Sequence, residues 1–227
     1  MNSNDIYLET KEFWNRRFSR YELPDSQTPL PPTLDEGIQW SVQGAESLID
    51  FGCGAGRYIF RAIYHGIKKA RGIDISEKAI EIAIEFAVKN KLEHRVHFSA
   101  GGAETLKTLK ENSFDSAIAS NILDNIAPDD SSAALKEISR IVRPRGRIFA
   151  KFNMYIGDKN LIKMWQMEEI SKDFYREKEG IFLYNLNDRD LEKLLLQNFE
   201  IMDNRIYTFP GNGGCNRIYH LVNNKSD

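Results

Sequence analysis

Apolar and polar positions change rhythm repeatedly along this chain, and each change predicts an element. Ser47 to Phe51 (SLIDF) is nearly all apolar and reads as a buried strand. From Gly56 to Lys68 the spacing switches to that of a helix, with Ile59, Phe60, Ile63 and Ile67 on one side. Ala70 to Ile75 is a second strand, and Ser76 is placed to cap a helix carrying Ile80, Ala83, Ile84 and Ala87. Arg95 to Ser99 and Phe114 to Ser120 read as the third and fourth strands. Ser131 to Val142 is a helix and Arg147 to Asn153 a fifth strand. Strands alternating with helices of this length predict a parallel sheet with helices on both faces.

The two ends of the chain depart from that alternation. Residues 9 to 20 carry Phe13, Trp14, Arg17 and Phe18 at helical spacing, predicting a short amphipathic helix. Four prolines between positions 24 and 32 then require extended or turning chain, so residues 1–33 read as an N-terminal arm or lid before a domain at 34–227. Within that domain, residues 154–186, rich in Met and aromatics, read as a mostly helical insertion. A helix at Asn187 to Gln197 precedes two strands, FEIMDNRIYTF and CNRIYHLV, joined by PGNGG as an antiparallel hairpin.

Composition narrows the function classes. The 227 residues suffice for one domain, and 41% hydrophobic content supplies a core. Net charge is −2 and the pI about 6.1, so no broad basic surface is implied and nucleic acid is not the expected partner. No apolar run approaches the ~20 residues of a membrane helix. The start lacks the basic-then-apolar pattern of a secretory signal. The two cysteines, Cys53 and Cys215, form no disulfide or metal pattern, and a cytoplasmic setting is expected. His94 and His97 flank a strand on opposite faces, and no grouping has metal-ligand spacing, so no metal is expected.

The chemistry-bearing stretch is LIDFGCGAGRYIF, Leu48 to Phe60. It places three glycines in five positions between a strand and a helix, where ligands of open parallel sheets bind. Asp74 ends the next strand, where a carboxylate takes the two hydroxyls of an adenosine ribose. No Lys-Ser/Thr follows the glycines, which excludes a phosphate-binding P-loop.

DFGCGAG (Asp50 to Gly56), GIDIS (Gly72 to Ser76), GGAETL (Gly101 to Leu106), FDSAIASNILDNI (Phe114 to Ile126) and RIVRPRGRIFA (Arg140 to Ala150) together resemble the class I S-adenosylmethionine-dependent methyltransferases. The resemblance implies a Rossmann-like, doubly wound, mostly parallel seven-stranded sheet ending in the antiparallel hairpin. It implies S-adenosylmethionine as cofactor, with Gly52, Cys53, Gly54 and Gly56 against its methionine part and Asp50 supporting the ammonium. Asp74 would bind the ribose, Ile75 pack on adenine, and Ala103 and Glu104 flank the adenine edge. Asn121 and Ile122 would back the methionine end.

In this chain Asp124-Asn125 stands where many relatives carry a histidine, so Asp124 is the candidate to orient an acceptor, with loop capping as the alternative role. Trp14, Arg17 and Tyr21 of the arm, Asn125, and Tyr155 of the insertion are the candidates for acceptor binding. The expected reaction is methyl transfer to a small-molecule acceptor. RNA or protein methylation, or a non-catalytic nucleotide-binding module, are the alternatives. Neither the attacked atom nor the oligomeric state follows from these residues.

Overall fold

The computed structural model describes residues 3–21, 30–211 and 214–226. Helix α1 (Ser3–Phe18) is followed by α2 (Pro32–Val42), β1 (Ser47–Phe51), α3 (Arg57–Tyr64), β2 (Lys69–Asp74) and α4 (Glu77–Lys89). Then come β3 (Val96–Ala100), the single turn α5 (Ala103–Leu106), β4 (Phe114–Ser120), α6 (Pro128–Ile141) and β5 (Val142–Asn153). Helix α7 (Lys159–Met164) and strands β6 (Glu168–Ser171), β7 (Phe174–Arg176) and β8 (Phe182–Tyr184) precede α8 (Asp188–Leu195), β9 (Phe199–Thr208) and β10 (Cys215–Asn223).

Seven strands form the main sheet in the order β3-β2-β1-β4-β5-β10-β9. The first five pair in parallel, whereas β10 lies antiparallel to both β5 and β9. The parallel order reverses beside β1, where β2 pairs on one side and β4 on the other. Adjacent side chains of the central strands belong to two separate cores, as a period of two demands. Leu48, Ile118 and Phe149 pack on the face covered by α2, α3 and α4. Ile49, Ala117, Ala119, Ile148 and Ala150 pack on the opposite face with α6 and α8.

Local chemistry starts several of the helices. The Ser76 hydroxyl accepts from the Ala79 N–H at 3.1 Å and caps α4 as the pattern predicts. Asn187 does the same for α8 through the Asp190 N–H at 3.0 Å. Pro32 and Pro128 sit at the first positions of α2 and α6, where a missing N–H costs nothing.

Three elements differ from the sequence expectation. Residues 154–186 are not mostly helical: one six-residue helix is followed by a separate antiparallel sheet in the order β6-β7-β8. Its core is the stacked pair Phe174–Phe182, with centroids 5.5 Å apart, and both rings are buried. Aromatic residues suit a strand as well as a helix, and these strands are too short to show a period. Helix α1 begins at Ser3 rather than residue 9, and α2 occupies residues whose prolines argued only for extended chain. The proline-rich stretch at 22–29 and part of the PGNGG turn, at 212–213, lie outside the described residues.

Candidate functional site

β1 delivers Asp50 and Phe51 to the edge of the sheet, and the chain then turns through Gly52 to Gly56 into α3. Gly52, Gly54 and Gly56 have φ of +77°, +52° and +82°, a region that glycine enters without a Cβ penalty. They are glycines for different reasons. A Cβ on Gly52 would come within 2.6 Å of Ile122, and one on Gly54 within 3.1 Å of the Phe18 ring. A Cβ on Gly56 would meet Phe60 and Phe98, so this third glycine serves helix–strand packing and borders neither cavity described below. The loop is pinned to β2, since the N–H groups of Gly52 and Cys53 both donate to the Ile73 carbonyl, at 2.8 and 3.1 Å.

Two carboxylates stand behind this loop. Asp74 accepts from the Gly54 N–H at 2.7 Å and from the Ser76 N–H at 2.9 Å. Burial raises its pKa, and those two bonds oppose the shift. Asp50 is 1% exposed, and both its oxygens lack a hydrogen-bond partner among the described residues. Burial, reinforced by the nearby Asp74 charge, pushes its carboxyl well above the usual range. A buried carboxyl without a donor is costly unless something arrives to satisfy it. The Cys53 thiol is likewise pushed up by burial and the two acids, which suits packing rather than nucleophilic chemistry.

Two cavities meet at Gly52, Asp74, Ile75 and Ile122. One, of about 450 Å³, is bordered by Phe51, Gly101 to Glu104, Ile126 and Asp130, with Tyr7 and Thr10 of α1 over it. The other, of about 490 Å³, runs along Cys53, Gly54, Arg57, Tyr58, Ser120, Asn121 and Lys151. Its opposite wall is Trp14, Phe18 and Tyr21 with Leu30, Pro31, Leu34, Tyr207 and Phe209. The residues fit the cofactor that the motifs imply. Apolar Ile75, Ala103 and Ile122 would suit an adenine, Asp74, where the two cavities meet, would suit the ribose hydroxyls, and the unsatisfied Asp50 carboxyl would suit a nearby ammonium.

α1 is held over both cavities by polar ties. Lys11 Nζ donates to Glu77 at 2.7 Å, and Asn15 Oδ1 accepts from the Ser76 hydroxyl at 2.9 Å and from the Lys78 N–H at 3.2 Å. Arg176 of β7 donates through Nε to Glu9 at 2.7 Å, linking α1 to the small sheet.

The structure brings together Gly52, Cys53, Gly54, Asp74, Ile75, Ala103, Glu104, Asn121 and Ile122, with Trp14 and Tyr21 of the arm. Four acceptor-side candidates fall elsewhere. Arg17 is exposed in a shallow recess with Phe13, Arg16 and Arg20. The Asn125 amide donates to the Phe182 carbonyl at 2.7 Å, and Tyr155 is exposed; neither borders either of these two cavities.

Asp124 is 3% exposed. Its Oδ2 accepts from the Asn153 N–H at 2.5 Å, and its carbonyl accepts from the Tyr184 N–H at 2.8 Å. It borders neither cavity, and this geometry ties the β4 loop to β5 and β8. Its carboxyl is raised to about 6 by burial, against the lowering effect of the Asn153 N–H and Arg217.

Arg57, Tyr58, Lys151 and Tyr207 were not singled out from the sequence. Lys151 carried a signal, being the lone charge inside the apolar run IFAKF. Among the described residues no three His, Cys, Asp or Glu side chains are grouped as metal ligands.

Comparison with known proteins places this architecture. The chain is 26% identical over 204 residues to the tRNA N(3)-methylcytidine methyltransferase trm140 of Schizosaccharomyces pombe, covering 87% of this chain and 62% of that one. It is 29% identical over 167 residues to the ubiquinone biosynthesis O-methyltransferase of Pelagibacter ubique, covering 69% of this chain and 67% of the relative. The fold matches the Burkholderia thailandensis 1,6-didemethyltoxoflavin-N1-methyltransferase, solved with S-adenosylhomocysteine, at a TM-score of 0.74 and 17% identity over 99% of this chain and 92% of that one. A family model described as a methyltransferase domain matches residues 43–200, from before β1 into β9. With the glycine loop, the strand-ending Asp74 and the antiparallel final strand all in place, the chain belongs to this methyltransferase-domain family, within the class I S-adenosylmethionine-dependent superfamily.

Proposed function

We propose that the protein moves a methyl group from S-adenosylmethionine to a small-molecule acceptor. The observation that carries this reading is the roofed cavity of about 490 Å³ beside the glycine loop, walled by Trp14, Phe18, Tyr58, Tyr207 and Phe209. With the methionine end of the cofactor along Gly52, Gly54 and Ile122, the aromatic remainder of that space suits one compact, partly apolar molecule. The cofactor supplies an electrophilic methyl on a sulfonium, and in-line attack by an acceptor lone pair needs little covalent help.

The chain's part is then alignment and exclusion of water, contributions on the order of 7–11 kcal/mol when geometry is well held. Asp74 holds the ribose hydroxyls; Ile75, Ala103 and Glu104 hold the adenine; Gly52, Gly54, Asn121 and Ile122 flank the methionine. Trp14, Phe18 and Tyr21 close the acceptor side. No described helix is long and apolar enough to cross a membrane, and we place the reaction in the cytoplasm.

One observation favours a second reading. Arg16, Arg17 and Arg20 ring a shallow recess that shares Tyr21 with the aromatic cavity, a placement suited to RNA phosphates. Incubation with methyl-labelled S-adenosylmethionine, a panel of small amines, phenols, thiols and carboxylates, bulk tRNA and ribosomal protein separates the readings. Label in a small molecule is the expected result, and label confined to tRNA or protein overturns it. Cofactor binding without label transfer to any of these would point to a non-catalytic module.

A further inference from the structure

Lys151 lies on β5, registered against Ser120 at the end of β4, and borders the aromatic cavity. Its residue is only 8% exposed. Its ammonium has a phenol for company: Nζ donates to the Tyr58 hydroxyl at 3.3 Å and lies 5.8 Å from the centroid of that ring. No carboxylate forms an ion pair with it among the described residues. Asp74, the one acid bordering this cavity among the described residues, has its two oxygens engaged by the Gly54 and Ser76 N–H groups.

A buried cation without a counter-charge is expensive, and a phenol oxygen offsets little of that cost. Next to Lys151, Asn121 sits at φ +51°, held by its own N–H donating to the Lys151 carbonyl at 2.7 Å. Its side-chain Nδ2 is buried without a partner among the described residues. A non-glycine residue in the left-handed region is strained, and such strain gathers where a side chain must be aimed. Arg57 borders the same space. At this end, then, Lys151 and Arg57 are the described basic residues, beside Asn121, Ser120 and aromatic rings.

We propose that Lys151 receives a carboxylate of the methyl acceptor, so that the enzyme selects flat, aromatic or partly apolar acids over their neutral counterparts. The inference rests on the small-molecule reading above. A carboxylate supplies the counter-charge that Lys151 lacks among the described residues, a charge-assisted contact that a desolvated cavity strengthens. The aromatic walls take the body of the molecule. The cofactor's own methionine carboxylate is the other source of the same chemistry, and the two are distinguishable.

The test uses the full chain with saturating S-adenosylhomocysteine and a panel of hydroxybenzoates, aminobenzoates and indole carboxylates, each paired with its primary amide. Calorimetry should show at least one acid binding about tenfold or more tightly than its amide. Lys151→Met should erase that preference, Lys151→Arg should keep part of it, and both should leave S-adenosylhomocysteine affinity within about twofold. Thermal melts confirm that each variant is folded. Equal binding of acid and amide, or no binding of any acid, overturns the proposal. A tenfold or greater loss of S-adenosylhomocysteine affinity in folded Lys151→Met also overturns it, assigning the lysine to the cofactor. Failure of the small-molecule reading would show instead as label transfer to tRNA or protein alone.

Discussion

On the Ile75 side of Asp74, much of the cavity wall comes from strand ends and the turns directly after them: Phe51-Gly52, Asp74-Ile75 and Gly101 to Glu104. On the Lys151 side, the wall is gathered from α1, residues 30–34, the first turn of α3, the ends of β4 and β5, and β9. The first wall has Gly52, Gly101, Gly102 and Ala103 at its strand ends, shaped by positive-φ glycines and by bonds such as Gly101 N–H to the Asp74 carbonyl at 2.9 Å. The second is large side chains from remote segments. A backbone-built pocket is inherited with the sheet, whereas a pocket of assembled rings changes whenever one contributing segment changes. The two curated relatives are themselves named for different processes, tRNA methylation and ubiquinone biosynthesis.

The comparison breaks most readily at the loop. Gly54→Val forces a branched residue to φ +52° and drives its side chain at Phe18. The strain and clash together are about 3 kcal/mol, on the order of a hundredfold in S-adenosylhomocysteine affinity. Calorimetry on the folded variant checks this, and wild-type affinity would remove the loop from the site.

Asp124 tests which half a buried acid serves. Its folded pKa of about 6 exceeds the unfolded value of 3.8, so the group favours the folded state below about pH 4. That contribution fades as pH rises through about 6. Asp124→Asn should therefore gain stability relative to wild type between about pH 4 and 6, by up to about 3 kcal/mol, and hold that gain above. Urea titrations across that range measure it. A folded variant that has lost turnover would give Asp124 a role at the acceptor instead of at the β4–β5 junction.

Asp74→Ala strips partners from the Gly54 and Ser76 N–H groups and from the proposed ribose contact. Cofactor affinity should fall by about 1–3 kcal/mol, with a modest drop in melting temperature. Unchanged affinity would contradict the assignment of this carboxylate to the ribose.

The smallest effect is expected at the arm. Arg176→Met cuts the tie between Glu9 and the small sheet, a partly exposed pair worth about 1 kcal/mol or less. Hydrogen exchange along residues 5–18 should quicken, and acceptor KM should rise a few-fold with cofactor affinity unchanged. Unaltered exchange would make α1 ordinary packing rather than the cover of the acceptor side.

Residue by residue, the glycine-loop wall was legible because its requirements are local. Gly52, Gly54 and Asp74 each answer to a turn or a strand end a few positions away, and Phe114 to Ser120 matches its predicted strand to the residue. Trp14 and Tyr21 were found because an apolar stripe on an arm must bury against something. Lys151 was missed although a lone charge in a buried strand is a visible anomaly. Tyr207 and Leu30 gave no signal, since an aromatic or leucine near a loop looks the same whether it faces core or cavity. The 154–186 segment failed for a related reason: Phe174 and Phe182 pair with each other across strands of three residues each, too short to show a period.

The sequence by itself determined the alternation of strands and helices, the glycine loop with its strand-ending acid, and hence the sheet and where its ligand lies. Backbone propensity and hydrophobic period act over a few residues, and a parallel sheet leaves one place for the crevice. Only the tertiary structure decided that α1 and the turn after it roof the crevice from Tyr7 to Tyr21, that Asp124 is turned toward Asn153, and that Lys151 stands buried beside Asn121 with no carboxylate paired to it among the described residues. Those facts depend on which side chains meet across more than a hundred positions of chain, as Glu9 and Arg176 do, and close packing settles that only when every element is in place.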